Sequence, residues 1–125
     1  MEANASSGLF SLAIDPSAKT LIAVGGDYQK TGVAAGHIAV NTNPMAKDQI
    51  WRAVSGQPPR GFRSAVVYAS KYQRPWICTG PNGSDWSADG DAWESLSEVG
   101  FHALSVANDG TVWASGSEGR VARLK

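Results

Sequence analysis

Hydrophobic and polar residues alternate along this chain over short stretches, as they do in β-strands. In the run 62–68, successive side chains project to opposite faces, and both faces carry apolar residues. Val66 and Tyr68 share one face, and Val67 lies on the other. A strand with two apolar faces is covered on both sides, so the pattern predicts sheets that stack face to face. A helix is predicted nowhere beyond a single turn within 44–50.

The same pattern recurs along the chain. A glycine-led phrase opens three runs, and a second run that ends on a glycine follows each phrase. The phrases begin at Gly8, Gly61 and Gly100, and the second runs end at Gly25, Gly80 and Gly116. Third runs follow at 37–40, opened by His37, at 83–87 and at 120–124, and fourth runs follow at 51–55 and 93–97. The spacing predicts eleven strands.

Eleven strands in this order predict an all-β fold, a partial β-propeller of about 2.75 four-stranded antiparallel blades. We expect one domain over residues 1–125, with blade 1 at 8–56, blade 2 at 61–98 and an incomplete blade 3 at 100–125. Fourteen Gly and six Pro fit many short strands. With a third blade that lacks its fourth strand, the flanks of the end blades would be bare, so we expect completion by oligomerisation or strand exchange.

Composition narrows the classes of function. Eleven acidic and eleven basic residues give a formal net charge of zero, which argues against nucleic-acid binding. The single cysteine, Cys78, excludes an intrachain disulfide and a cysteine-rich zinc site, and its apolar run predicts a buried thiol. No apolar stretch is long enough to span a membrane, and residues 1–7 lack the pattern of a signal peptide, which leaves localisation open. No metal, cofactor or catalytic constellation is predicted.

The turn 87–93 resembles the Asp-box of sialidases and related propellers, Ser-x-Asp-x-Gly-x-x-Trp. Ser87, Asp89 and Trp93 match it, whereas Asp91 stands where the glycine belongs and the tryptophan comes one residue early. The resemblance implies structural roles for these three residues and carries no implication of glycosidase activity. A calcium-binding loop over 85–96 is not favoured, because Leu96 stands where a bidentate glutamate is required.

The ordered series Gly61–Tyr68, Gly80–Asp85, Gly100–Ser105 and Gly116–Leu124 resembles the C-terminal part of a bacterial propeller family. Its members are called photosystem II stability/assembly factor-like or BNR/Asp-box proteins, and some are called oxidoreductases. The resemblance implies a non-enzymatic propeller, in some relatives a scaffold for assembly of membrane complexes. Such propellers usually have about seven blades, so it also implies self-association or a protein partner that covers the exposed blade edges.

Candidate ligand-binding residues follow from propeller geometry, in which certain positions face the central channel or lie on its loops. They could line a pocket for an anionic ligand or a glycan, with a guanidinium as a fork for carboxylate and an aromatic ring as a sugar platform. We favour the alternative that Arg63 forms a structural pair with a neighbouring carboxylate such as Asp27 or Asp85. The candidates are Ser11, Arg63, His102, Asp27, Tyr28, Asp85 and Trp86.

Three classes of function follow. A protein-interaction or assembly scaffold comes first, because it needs no pocket chemistry. A carbohydrate-binding module, resembling a lectin or a sialidase propeller, is the alternative. A glycosidase comes third, because sialidase chemistry requires an arginine triad and only Arg63 is near a channel position.

Overall fold

A computed structural model describes residues 7–30 and 38–125 of the chain. The described residues form an all-β fold of three small antiparallel sheets. The first sheet contains β1 (Ser7–Ile14), β2 (Leu21–Asp27) and β3 (Ile38–Asn41). The second contains β4 (Ala65–Tyr68), β5 (Trp76–Gly80), β6 (Gly83–Ser87) and β7 (Glu94–Ser97). The third contains β8 (Ala103–Val106), β9 (Val112–Ser115) and β10 (Val121–Arg123).

The described part of the chain therefore has ten strands where the sequence predicts eleven. The difference lies in 51–55, which makes only an isolated antiparallel bridge between Arg52 and Val40. The N–H of Ser55 donates to the carboxylate of Asp91, 3.3 Å away, and not to a strand of the first sheet. His37, predicted to open the third run of the first unit, lies outside the described residues.

The sheets stack in chain order around two apolar cores. The first core lies between the first and second sheets and includes Ile22, Val40, Val66 and Trp93. The second core, which includes Ile77 and Val112, joins β5 to β9 of the third sheet, and Val67 and Leu104 pack against it. Because Val66 and Val67 enter different cores, β4 is covered on both faces, as its alternation predicts. The strand begins only at Ala65, however, so the glycine-led phrase forms its approach.

The opening strands of the three sheets, β1, β4 and β8, lie side by side, and hydrogen bonds in these strands or directly before them join the sheets. The hydroxyl of Ser11 accepts a bond of 3.0 Å from the N–H of Val66. The hydroxyl of Ser64 donates a bond of 2.7 Å to the carbonyl of His102. Ser11, a predicted pocket-lining residue, therefore fastens the first sheet to the second.

The recurrent glycines have a steric reason. A Cβ on Gly80 would overlap the carbonyl oxygen of Phe62, and one on Gly25 would overlap that of Gly8. The phrase that opens each of these sheets thus crosses the end of the second strand at backbone contact distance. Only glycine permits that approach.

The described residues contain neither a membrane-spanning helix nor a cluster of metal-ligating side chains. Among residues 7–30 and 38–125, no helix is long and apolar enough to cross a membrane. Within those same ranges, no three His, Cys, Asp or Glu side chains cluster as metal ligands would.

Candidate functional site

The most buried charged group is an ion pair between Arg63 and Asp85, whose side chains are each 1% exposed. Nη2 and Nε of Arg63 donate to Oδ2 of Asp85 at 2.6 and 3.0 Å. Nη1 donates to the carbonyl of Phe62 at 3.0 Å and to the side-chain oxygen of Asn82 at 2.6 Å. The structure thus contains the pair with Asp85 that the sequence offered as the alternative to ligand binding.

A second arginine, Arg60, completes the coordination of Asp85. Its Nε donates to Oδ1 of Asp85 at 2.9 Å, and its Nη1 lies 2.9 Å from Glu98. Burial acts to lower the Arg60 pKa, but the neighbouring carboxylates, Asp85 foremost, raise it overall. Arg60 was not predicted as a site residue, because it lies in a loop outside the repeated phrases.

Backbone bonds position this cluster at the boundary between the first two sheets. The N–H of Arg63 donates to the carbonyl of Gly25 at 2.8 Å, which fixes the residue against the end of β2. Asp85 pairs with Cys78 across β5 and β6, on the face that packs on the first sheet. Both oxygens of Asp85 accept bonds from arginines, and neither Arg63 nor Asp85 is presented to solvent. The backbone bond of Arg63 to Gly25 ties this cluster to the first sheet.

Two other candidate residues lie at the end of β2. Asp27 is 4% exposed and accepts a bond of 2.9 Å from the N–H of Gln29. Tyr28 is 53% exposed and contacts Phe10 edge-on, with ring centroids 6.4 Å apart. The structure therefore leaves Tyr28 as an accessible aromatic ring at the end of β2.

Trp86 and His102 differ in their surroundings. Trp86 follows Asp85 in β6 and so points to the opposite face, where it packs against the second core. The guanidinium carbon of Arg74 lies 5.4 Å from its ring centroid and covers it. His102 is exposed, and its backbone N–H donates to Ser115 at 2.8 Å. Among the predicted residues, a direct bond brings Arg63 and Asp85 together.

The turn from Ser87 to Trp93 is held by its own side chains. The hydroxyl of Ser87 accepts a bond from the N–H of Gly90 at 2.8 Å and donates one to the carbonyl of Ala92 at 2.6 Å. Oδ1 of Asp89 accepts two backbone N–H bonds, which lower the pKa of that carboxyl. The indole N–H of Trp93 donates to the carbonyl of Gly90 at 2.9 Å. These bonds give Ser87, Asp89 and Trp93 structural positions.

Asp91, which departs from the Asp-box pattern, makes an ion pair instead. Nη1 of Arg52 lies 2.8 Å from Oδ1 of Asp91, and Nη2 lies 3.1 Å from Oδ2. The hydrogen bond from Arg52 is the largest cause of the lowered pKa of Asp91. This ion pair joins the segment 51–55, which bridges to the first sheet, to the turn 87–93 of the second sheet. Arg52 and Asp91 are partly exposed, so the pair contributes about 1 kcal/mol or less.

Gly90 offers a test of how tightly this turn packs on the first sheet. Its φ is +84°, and a Cβ there would lie 2.5 Å from Cδ1 of Ile22. Gly119 also has a positive φ, +72°, but has no atom within 4 Å of its would-be Cβ. We expect Gly119→Ala to cost about 1 kcal/mol of strain and Gly90→Ala about 1–2 kcal/mol, because the terminal methyl of the fully buried Ile22 must also turn aside in the core. Urea denaturation of both variants measures the difference, and equal losses would contradict close packing at Gly90.

The thiol of Cys78 is fully buried within the first core. Burial raises its pKa to about 12, against an ordinary value of 9.0. At neutral pH it is a protonated apolar group and no nucleophile.

The raised pKa predicts a loss of stability in alkali. The unfolded thiol loses its proton near pH 9.0 and the folded one only near pH 12, so between these values the unfolded state binds fewer protons. The free energy of unfolding should therefore fall, relative to Cys78→Ala, by up to about 1.4 kcal/mol per pH unit. Urea titrations of both proteins at a series of alkaline pH values measure this difference, and parallel pH profiles would contradict it. A thiol reagent at pH 8 should label only unfolded protein.

An apolar cavity of about 470 Å³, the inter-sheet cavity, opens between the second and third sheets. Ile77 and Leu96 line it from the second sheet. Leu104, Val112 and Leu124 line it from the third. Its size is that of a small-molecule or side-chain pocket, but its walls carry few polar groups.

Neither a scan against protein-family models nor a search of curated proteins finds a match for this chain.

Proposed function

We propose that this chain is a non-enzymatic interaction module, part of a β-propeller, that acts by packing the free faces of its end sheets against protein. The observation that carries the proposal is apolar exposure on both flanks. On the first sheet, Leu12 is 61% and Ile14 is 45% exposed. On the third sheet, Trp113 is 43% and Val121 is 67% exposed. Exposed apolar faces on sheets are typical of interaction surfaces.

The register of the sheets supports this reading of the flanks. One residue in the second strand of each sheet directly precedes a recurrent glycine, Gly25, Gly80 or Gly116. These residues are Val24, Thr79 and Ser115, and they pair with Ser11, Ala65 and Ala103, respectively. Counting from these pairs, Leu12 takes the position of Val66 and Trp113 takes that of Ile77. Val66 is 3% and Ile77 is 1% exposed, because a neighbouring sheet covers each. Leu12 and Trp113 thus occupy positions that a neighbouring sheet covers in the second sheet, which supports a role in packing against a partner.

The partner we propose is a second copy of the chain. The third sheet of one copy would pack on the first sheet of the next, as the second sheet packs on the first within the chain. A chain with a formal net charge of zero has no overall repulsion to oppose this. Such a contact joins two different faces, so repetition of it gives a ring or a filament.

Two lysine substitutions test the contact. Leu12→Lys should disable the face of the first sheet and Val121→Lys the face of the third, so each variant alone should be monomeric. An equimolar mixture retains one intact pair of faces and should give a heterodimer. Light scattering after size exclusion at micromolar concentration measures the mass, and Met45→Lys, at a loop position 77% exposed, is the control. A monomeric wild-type protein would overturn the proposal.

A second proposal is carbohydrate binding at Tyr28. Its exposed ring, placed edge-on to Phe10, supports this use as a platform for a sugar. A glycan array probed with wild-type protein and with Tyr28→Ala tests it. Signal that Tyr28→Ala removes would support it, whereas an array without signal would end it.

A further inference from the structure

The second sheet shows how a tryptophan closes the space between two sheets. Trp93 comes directly before β7, which pairs with the edge of β6. Its side chain is 3% exposed in the first core, among Val66 and Trp76 of its own sheet and Ile22 of the first. The residue that leads into the outermost strand thus fills the space between its own sheet and the preceding one.

The third sheet has apolar residues equivalent to those that surround Trp93, but its described residues place no tryptophan among them. By the register given above, Leu104 takes the position of Val66, and Val112 takes that of Trp76. Both line the inter-sheet cavity, as does Ile77 on the facing wall, which takes the position of Ile22. Within the described ranges, β10 pairs with β9 on one side and with no strand on the other. The inter-sheet cavity therefore lies where a Trp93-like side chain would reach from a strand added to β10.

The charges along β10 add a preference. Glu94 pairs with Trp86 in β6, and Arg123 takes the position of Trp86 in the third sheet. An acidic residue directly after the tryptophan would thus lie opposite Arg123. Ala122 takes the position of the buried Asp85 and lines the inter-sheet cavity. The part of this cavity along β10, called the groove below, is therefore apolar where the second sheet holds its ion pair.

We infer that the edge of β10 binds an extended peptide segment of the pattern Trp-acidic-small in trans, antiparallel to β10, with the indole in the inter-sheet cavity. Backbone bonds to β10 would give affinity, and the cavity and Arg123 would give specificity. The groove opens on the opposite face of the third sheet from Trp113, so binding of the indole does not rest on the proposed self-association. Arg123 lies on the Trp113 face, with its guanidinium carbon 5.9 Å from that ring centroid.

The test uses a fluorescein-labelled peptide with the sequence of residues 91–97 and fluorescence anisotropy. The receptor is the Leu12→Lys variant, so that association through the flanks does not interfere. We expect saturable binding that weakens by about tenfold or more when the peptide carries Trp93→Ala, and less strongly with Glu94→Lys.

Two matched receptor variants locate the site. Ala122→Phe fills the groove and should abolish binding, whereas Ala103→Phe, on the exposed opposite face, should leave it unchanged. Thermal melts confirm that both variants fold. Chemical-shift changes of backbone amides should centre on residues 121–124.

Three results would overturn the inference. They are equal binding of the Trp93→Ala peptide, binding that survives Ala122→Phe, and absence of saturable binding. Competition by unlabelled wild-type protein, lost on Trp51→Ala, would show instead that a second copy occupies the groove and would overturn the proposed occupant. A monomeric wild-type protein that still binds the peptide would refute only the self-association.

Discussion

Replacement of Trp93 by alanine should destabilise the fold by about 3–5 kcal/mol, the largest effect expected of a single apolar truncation here. The indole is 3% exposed and fills the first core, where its removal leaves a cavity between two sheets. The substitution also removes the donor to the carbonyl of Gly90. A loss of this size is a large fraction of the stability of a small domain.

The chain contains a matched control for this prediction. Trp51 precedes Arg52, whose bridge to Val40 corresponds to that of Glu94 with Trp86, so Trp51 and Trp93 have equivalent positions. Trp51 is 40% exposed, however, and Trp51→Ala should cost about 1 kcal/mol or less. Urea denaturation followed by far-ultraviolet circular dichroism measures both. Similar losses in the two variants would show that Trp93 does not close the first core.

Removal of the Asp85 carboxylate should be as damaging. Asp85→Ala leaves the guanidinium of Arg63 buried at 1% exposure without its counter-charge, and we expect a loss of about 3–5 kcal/mol. Asp91→Ala breaks the partly exposed pair with Arg52 and should cost about 1 kcal/mol or less. Denaturant titrations of both variants give the comparison. A small loss for Asp85→Ala would mean that Arg63 reaches solvent.

A double variant separates the cost of an unpaired charge from the value of the pair. Arg63→Met with Asp85→Leu replaces both charges by apolar groups and should restore much of the stability lost in Asp85→Ala. Arg60 keeps its partner Glu98 in this background. A double variant no more stable than Asp85→Ala would indicate that the bonds of Arg63 to Phe62 and Asn82 hold the loop.

The sequence predicted the strands well where alternation and a glycine coincided, as in β5 and β6. The alignment of the glycine-led phrases on their first glycines, however, was wrong for the second and third sheets. Ala65 pairs with Thr79 and Ala103 with Ser115, yet Ala65 is four residues after Gly61 and Ala103 only three after Gly100. Ser64, not Arg63, is therefore equivalent to His102. The shift is invisible to a phrase match, because it is set by the register of backbone bonds.

The candidate site was harder to predict than the strands. Asp85 was predicted on a loop, yet it lies within β6. Its bond to Arg63 was one of two alternatives, since sequence spacing does not determine which carboxylate a buried guanidinium reaches. Arg60 carried no signal, because its role depends on β6 and β7 meeting its loop. Exposure of Leu12 and Trp113 also depends on which sheets have neighbours, and alternation alone does not reveal that.

The second sheet belongs to both cores, and this has a consequence for how the molecule opens. Each end sheet can separate by breaking one core, but β5 loses its cover only when both are broken. Amide hydrogens of β5 should consequently exchange most slowly, by global unfolding, while those of β10 exchange through local release of the third sheet. The chain is thus a short cooperative stack in which protection falls from the middle outward.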